Sequence, residues 1–87
     1  NGTILSMARI SATLDNDGSL KKLGAAIRAR RLALALSQEA LADAAGVDRS
    51  HMGKIERGER NVTFLNILRI AVAVECKPSE LLVDASL

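Results

Sequence analysis

Aromatic side chains are almost missing from this chain: Phe64 is the only one in 87 residues, and Trp and Tyr are absent. A single ring rules out the stacking platform on which proteins lay single-stranded nucleic acid. Cysteine is nearly absent too. Cys76 stands alone, which excludes an internal disulfide, suits a reducing cytoplasm, and is expected to act as a small buried hydrophobe rather than a reactive thiol. No apolar run approaches the roughly 20 residues needed to cross a bilayer. The N-terminus lacks the basic stretch, apolar core and cleavage site of an export signal, so a cytoplasmic protein without a membrane partner is expected. His51 is the sole histidine, with no carboxylate or thiol spaced to join it around a metal. There is no Cys/His pair, no Ser/His/Asp set and no phosphate loop, so no enzyme, cofactor or small-molecule ligand is expected.

What remains is aliphatic and charged. Apolar residues make up 48% of the chain, mainly Ala, Leu, Ile and Val, and the first two are strong helix formers. The length suits one domain. A domain this small buries only about 60% of its unfolded surface, which makes dimerisation a plausible source of added stability. Net charge is +2, unevenly spread: from Lys21 to Arg60 there are nine basic and five acidic residues, while the flanks are net acidic. A basic middle is compatible with a polyanionic partner, though many solvated helices share that feature.

Residues 1–18 show no helical period and end in the turn-like cluster DNDG. Thr3–Leu5 and Ile10–Leu14 have strand potential, but an N-terminal arm ordered only by a neighbour is the preferred expectation. Starts at Met7 and upstream of it both fit the sequence. Residues 19–87 read as an all-α, five-helix domain. Ser19 is the expected N-cap of a first helix to Ala35, with Leu20, Leu23, Ile27 and Leu34 on one face. Ser37 caps a second helix, Gln38–Ala45, which Gly46 ends in the left-handed conformation. Asp48 caps a third, Arg49–Arg57, which Gly58 terminates. Thr63 caps a fourth, Phe64–Val74, apolar on nearly all sides and therefore expected to be the most buried. Lys77-Pro78 opens a short fifth, with proline at its first position.

Between the second and third helices stand only Gly46, Val47 and Asp48, which forces the steep crossing of a helix-turn-helix. Ala42 and Gly46 are expected to be small because the two helices approach there, and Val47 to turn inward. Met52 and Ile55 anchor the third helix, leaving Arg49, Ser50, Gly53 and Lys54 outward. In this motif the second helix enters the major groove, where each base pair displays a distinct pattern of donors and acceptors. Without the motif, Arg49 and Lys54 would read as solvated surface charges.

Four segments carry a resemblance: LGAAIRARR (Leu23–Arg31), LSQEALADAAGV (Leu36–Val47), MGKIERGER (Met52–Arg60) and LNILRIAVAVECKPSELL (Leu65–Leu82). Over these 60 or so residues the chain resembles the phage-repressor-like, Xre or Cro/C1-type, helix-turn-helix regulators. The run DRSHMGKIERGERNVT is further similar to restriction–modification controller proteins. The resemblance implies a lambda-repressor-like five-helix domain that binds double-stranded DNA as a homodimer on an inverted repeat to regulate transcription. It assigns base reading to Arg49, Ser50 and Lys54, with His51 beside them. Phosphate contacts fall to Ser37 and Gln38 and to Arg57, Arg60, Asn61 and Thr63. Arg31 and Glu56 match a structural salt bridge joining the first helix to the third. Leu81, Leu82 and Val83 are candidates for both core lid and dimer seam. Gly53 departs from the pattern, standing where serine is more usual. The competing expectation is a module that keeps the fold but binds a protein, as antitoxins and coactivators do.

Overall fold

A computed structural model describes residues 12–87. Thr3–Leu5 and residues 10–11 lie outside that range, and the remainder of the second candidate strand is a 3₁₀ turn, Ala12–Leu14. Five helices follow: α1 (Ser19–Ala33), α2 (Gln38–Ala45), α3 (Arg49–Glu56), α4 (Phe64–Ala73) and α5 (Pro78–Asp84), with no strand among the described residues.

Three of the expected caps are in place. The Ser37, Asp48 and Thr63 side chains accept hydrogen bonds from the backbone N–H groups of Ala40 (2.9 Å), Ser50 (3.0 Å) and Asn66 (3.2 Å). Each satisfies one of the orphan donors of a first helical turn. Ser19 does not cap α1. The 3₁₀ turn folds Asp15 under the helix start, where its carboxylate accepts from the Ser19 and Leu20 N–H groups at 3.0 and 2.7 Å.

All five helices end in one way. A left-handed residue follows the last turn: Ala35 (φ 58°), Gly46 (69°), Gly58 (74°), Glu75 (62°) and Ser86 (61°). The next N–H then returns to a carbonyl five residues back, as from Leu36 to Arg31 and from Cys76 to Ala71, the Schellman closure. Only two of these stops are glycines. That is why α1 and α4 close before the sequence suggests, and why Leu34, expected inward, stands 37% exposed past the end of α1.

The core takes a fully buried side chain from every helix: Ile27, Leu41, Met52, Ile55, Ile70 and Leu81. Each is worth about 1.5–3 kcal/mol relative to an exposed position. Leu81 is thus wholly internal and does not reach a seam. The expectation that α4 is the most buried helix fails. It turns Ile70 and Ala71 inward but leaves Phe64, Leu65 and Val72 at 70%, 63% and 77% exposure. It packs chiefly on α2 and α5, and two neighbours cannot enclose a helix that is apolar all round.

Two glycines have reasons the sequence hides. A Cβ at Gly24 would overlap the carbonyl oxygens of Ile55 and Glu56, so α1 lies directly on the last turn of α3. Gly46 has open space around it; its φ of 69° requires glycine, rather than a close approach of α2 and α3.

Candidate nucleic-acid interface

The α3 helix is held from below. Met52 and Ile55 are fully buried, Glu56 and Gly53 are also buried, Arg49 and Ser50 are exposed, and His51 and Lys54 are half-buried. The Asp48 carboxylate that starts the helix also takes the Ser50 hydroxyl as a donor. That hydroxyl first, then the His51 and Ser50 backbone N–H groups, hold Asp48 below the ordinary carboxylate range. Ser50 therefore presents lone pairs outward, its own proton being committed.

Gly53 does not face solvent as expected. The side chains of Arg57 and Gln38 lie across it, so that an added Cβ would stand 3.2 Å from Arg57 Nη1 and 3.4 Å from Gln38 Oε1. Gln38, Arg49, Ser50, Gly53, Lys54 and Arg57 together line one shallow open pocket. Five of the residues assigned to base or phosphate contact are thereby gathered from two helices. Ser37, His51, Arg60, Asn61 and Thr63 lie outside this lining; Arg60 and Asn61 are exposed on the loop after α3, and the Thr63 hydroxyl is the α4 cap.

Beneath the pocket sits the expected ion pair. Arg31 grips Glu56 in a fork, Nε to Oε2 at 2.7 Å and Nη2 to Oε1 at 3.0 Å, and the two residues are 8% and 6% exposed. Arg31 Nη1 also donates to the Leu36 carbonyl at 2.9 Å, pinning the α1–α2 turn. One contact escaped the sequence: Gln38 Nε2 donates to Glu56 Oε1 at 3.0 Å. It ties the start of α2 to the end of α3 across 18 residues, and no spacing rule announces such a contact.

Arg57 caps the C-terminus of α3 and is itself forked on Glu59, Nε to Oε2 at 3.0 Å and Nη2 to Oε1 at 3.1 Å. This hydrogen-bonded pair holds the Glu59 carboxyl below its usual range and raises the Arg57 guanidinium. Both partners are exposed, so solvent screens the pair and it yields readily to a stronger anion.

Other features lie apart from the pocket. Arg30 on α1 meets Asp84 on α5 at 2.6 Å, a link between residues 54 positions apart. Cys76 is half-buried against the core; burial pushes its thiol up, with Arg30 opposing. An open hollow between α1 and α5, lined by Lys22, Ala25, Ala26, Ala29, Asp84, Ala85 and Ser86, shares no residue with the polar pocket. Among the described residues no helix is long and apolar enough to cross a membrane, and no three His, Cys, Asp or Glu side chains are grouped to hold a metal.

A helix-turn-helix family profile matches residues 27–81. The chain is 43% identical over 47 residues to the control protein C.SmaI of Serratia marcescens, a match spanning 54% of this chain and 56% of that protein. Alignment with the crystal structure of the restriction-modification controller protein C.AhdI from Aeromonas hydrophila gives a TM-score of 0.72 at 48% identity, covering 74% of this chain and 97% of that one. The controller protein C.Esp1396I, solved as a tetramer in complex with its natural 35 base-pair operator, aligns with a TM-score of 0.68 at 27% identity over 79% and 96% of the two chains.

Proposed function

The chain belongs to the helix-turn-helix family and, within it, to the restriction-modification controller proteins, and we propose that it regulates transcription as a homodimer bound to an inverted repeat in double-stranded DNA. One observation carries this reading. The α3 helix has its apolar face sunk to zero exposure at Met52 and Ile55, while its other face brings Arg49, Ser50 and Lys54 to an open pocket shared with Gln38 and Arg57. A helix so mounted suits the major groove, about 12 Å wide.

In this reading Arg49 is the principal base reader, since a guanidinium bonds guanine O6 and N7 together. Lys54, Ser50 and His51 complete the reading face. The Ser37 hydroxyl and the backbone N–H of Gln38, at the positive end of α2, meet one phosphate run. Arg57, Arg60, Asn61 and Thr63 meet the other, with Arg57 leaving Glu59 for the stronger anion. Residues 19–87 form the binding unit, with the Asp15 carboxylate capping its first helix. Leu82 and Val83 join the exposed Phe64, Leu65 and Val72 in the seam between protomers, which sets two recognition helices about 34 Å apart. The protein acts in the cytoplasm by binding, without catalysis.

The test is selection of bound sequences from a random duplex pool, followed by salt-titrated affinities. The expected result is a two-fold symmetric operator, affinity falling steeply with salt, and loss of discrimination in Arg49→Ala. Binding of all duplexes alike would refute the proposal.

A further inference from the structure

We propose that Gln38 reads a base: its side-chain oxygen Oε1 accepts a hydrogen bond from an exocyclic amino group, adenine N6 or cytosine N4, in the major groove. The inference rests on the DNA-binding reading above and assigns the Gln38 side chain a role other than the phosphate contact that family resemblance implies.

The amide orientation is chemically determined. Gln38 faces Glu56 Oε1 at 3.0 Å, and a carboxylate held by an arginine fork can only accept, so the amide must present its nitrogen there. Oε1 is consequently turned the other way, toward Gly53, where it lies 3.4 Å from the position a Cβ would take. The buried Arg31–Glu56 pair thus sets the direction of a group on the recognition surface.

The chemistry of the pocket then decides what that oxygen meets. Arg49, Lys54 and Arg57 bring only donors. Apart from the Ser50 hydroxyl oxygen, Gln38 Oε1 is the side-chain acceptor of the lining. A phosphate offers acceptors alone and would be opposed by it. The adenine N6 and cytosine N4 amino groups are the donors that base edges expose in the major groove. Gly53 leaves the space between Oε1 and Arg57 Nη1 open: an added Cβ would stand in ordinary contact with Oε1, at 3.4 Å, and tighter, at 3.2 Å, only against the flexible end of Arg57.

The test compares wild type, Gln38→Met, Gly53→Ala and Arg49→Ala, each confirmed folded by circular dichroism. Selected sequences and salt-titrated affinities are measured for the operator, its single base-pair substitutions and non-operator duplex. Gln38→Met should lose about tenfold in discrimination at one A·T or C·G pair per half-site, with other positions, non-operator affinity and salt slope unchanged. Gly53→Ala, whose Cβ presses on the Arg57 tip rather than on Oε1, should keep the preference at that pair. Uniform weakening on every duplex with a shallower salt slope would make Gln38 a phosphate contact and overturn the inference. An unchanged profile would overturn it as well. If wild type selects a sequence and Arg49→Ala loses it while Gln38→Met does not, this inference fails and the DNA-binding reading stands. If wild type selects nothing, both fall.

Discussion

Replacing Glu56 with glutamine should be the most damaging isosteric change in the protein. Glu56 Oε2 accepts from Arg31 Nε, and Oε1 accepts from both Arg31 Nη2 and Gln38 Nε2. A glutamine supplies one oxygen and one NH₂ group, so at least one of these donors would meet another donor. The Arg31 guanidinium, in a residue only 8% exposed, would also lose its counter-charge. Breaking a buried pair in this way costs about 3–5 kcal/mol. A chain of 87 residues has a total stability of about 4–13 kcal/mol at 0.05–0.15 per residue, so the loss is a large share. The expected fall in Tm is about 12–40 °C, taking 4–8 °C per kcal/mol. Thermal denaturation followed by circular dichroism, at fixed protein concentration because the proposed dimerisation would couple to folding, measures it. The companion variant is Arg31→Met with Glu56→Leu, which removes both charges together. A buried pair rarely outperforms well-packed apolar residues, so the double change should recover to within about 2 kcal/mol of wild type. A loss below about 1 kcal/mol in Glu56→Gln, or a double variant no better than the single, would refute the claim that desolvation dominates this site.

Three further outcomes are expected. Glu75, exposed with φ 62° at the stop of α4, pays the left-handed penalty of an L-residue, so Glu75→Gly should stabilise by about 0.5–1 kcal/mol, read as a rise in Tm. The Asp48 carboxyl is lowered by its hydrogen bonds from Ser50 and His51, and Glu59 by Arg57. Their stabilisation is therefore complete above the ordinary carboxylate range near pH 4 and is lost as pH falls through the depressed values. Amide protection at Ser50 and His51, taken relative to the intrinsic exchange rate at each pH, should fall over that acid range, and Asp48→Asn, which still caps, should flatten the dependence. Cys76, with its thiol raised by burial, should react with a disulfide reagent at neutral pH more slowly than free cysteine and at the free rate in urea.

The legible parts of the fold were those written in local chemistry. Ser37, Asp48 and Thr63 are short acceptors placed ahead of helical periods, and Gly46 and Gly58 permit a left-handed stop, so the bounds of α2 were readable to the residue. The illegible parts broke a local rule under tertiary pressure. Ala35, Glu75 and Ser86 occupy the same left-handed stops without glycine, and nothing in their side chains signals it. Asp15 displaced Ser19 as the cap of α1 because a turn, not a spacing, carried it there. Leu81 turned wholly inward and Phe64 outward, because periodicity marks an apolar stripe but not what lies against it.

By itself the sequence determined five helices, a three-residue hinge between α2 and α3, and the charges that α3 carries, because caps, periods and residue types act within a turn or two of themselves. Only the tertiary structure decided which way those charges are aimed. The end of α3 seated on Gly24, the Arg31–Glu56 fork and the Gln38 amide turned by it join residues up to 32 positions apart. Such contacts depend on the packing of α1 and α2 against α3, which no local window contains.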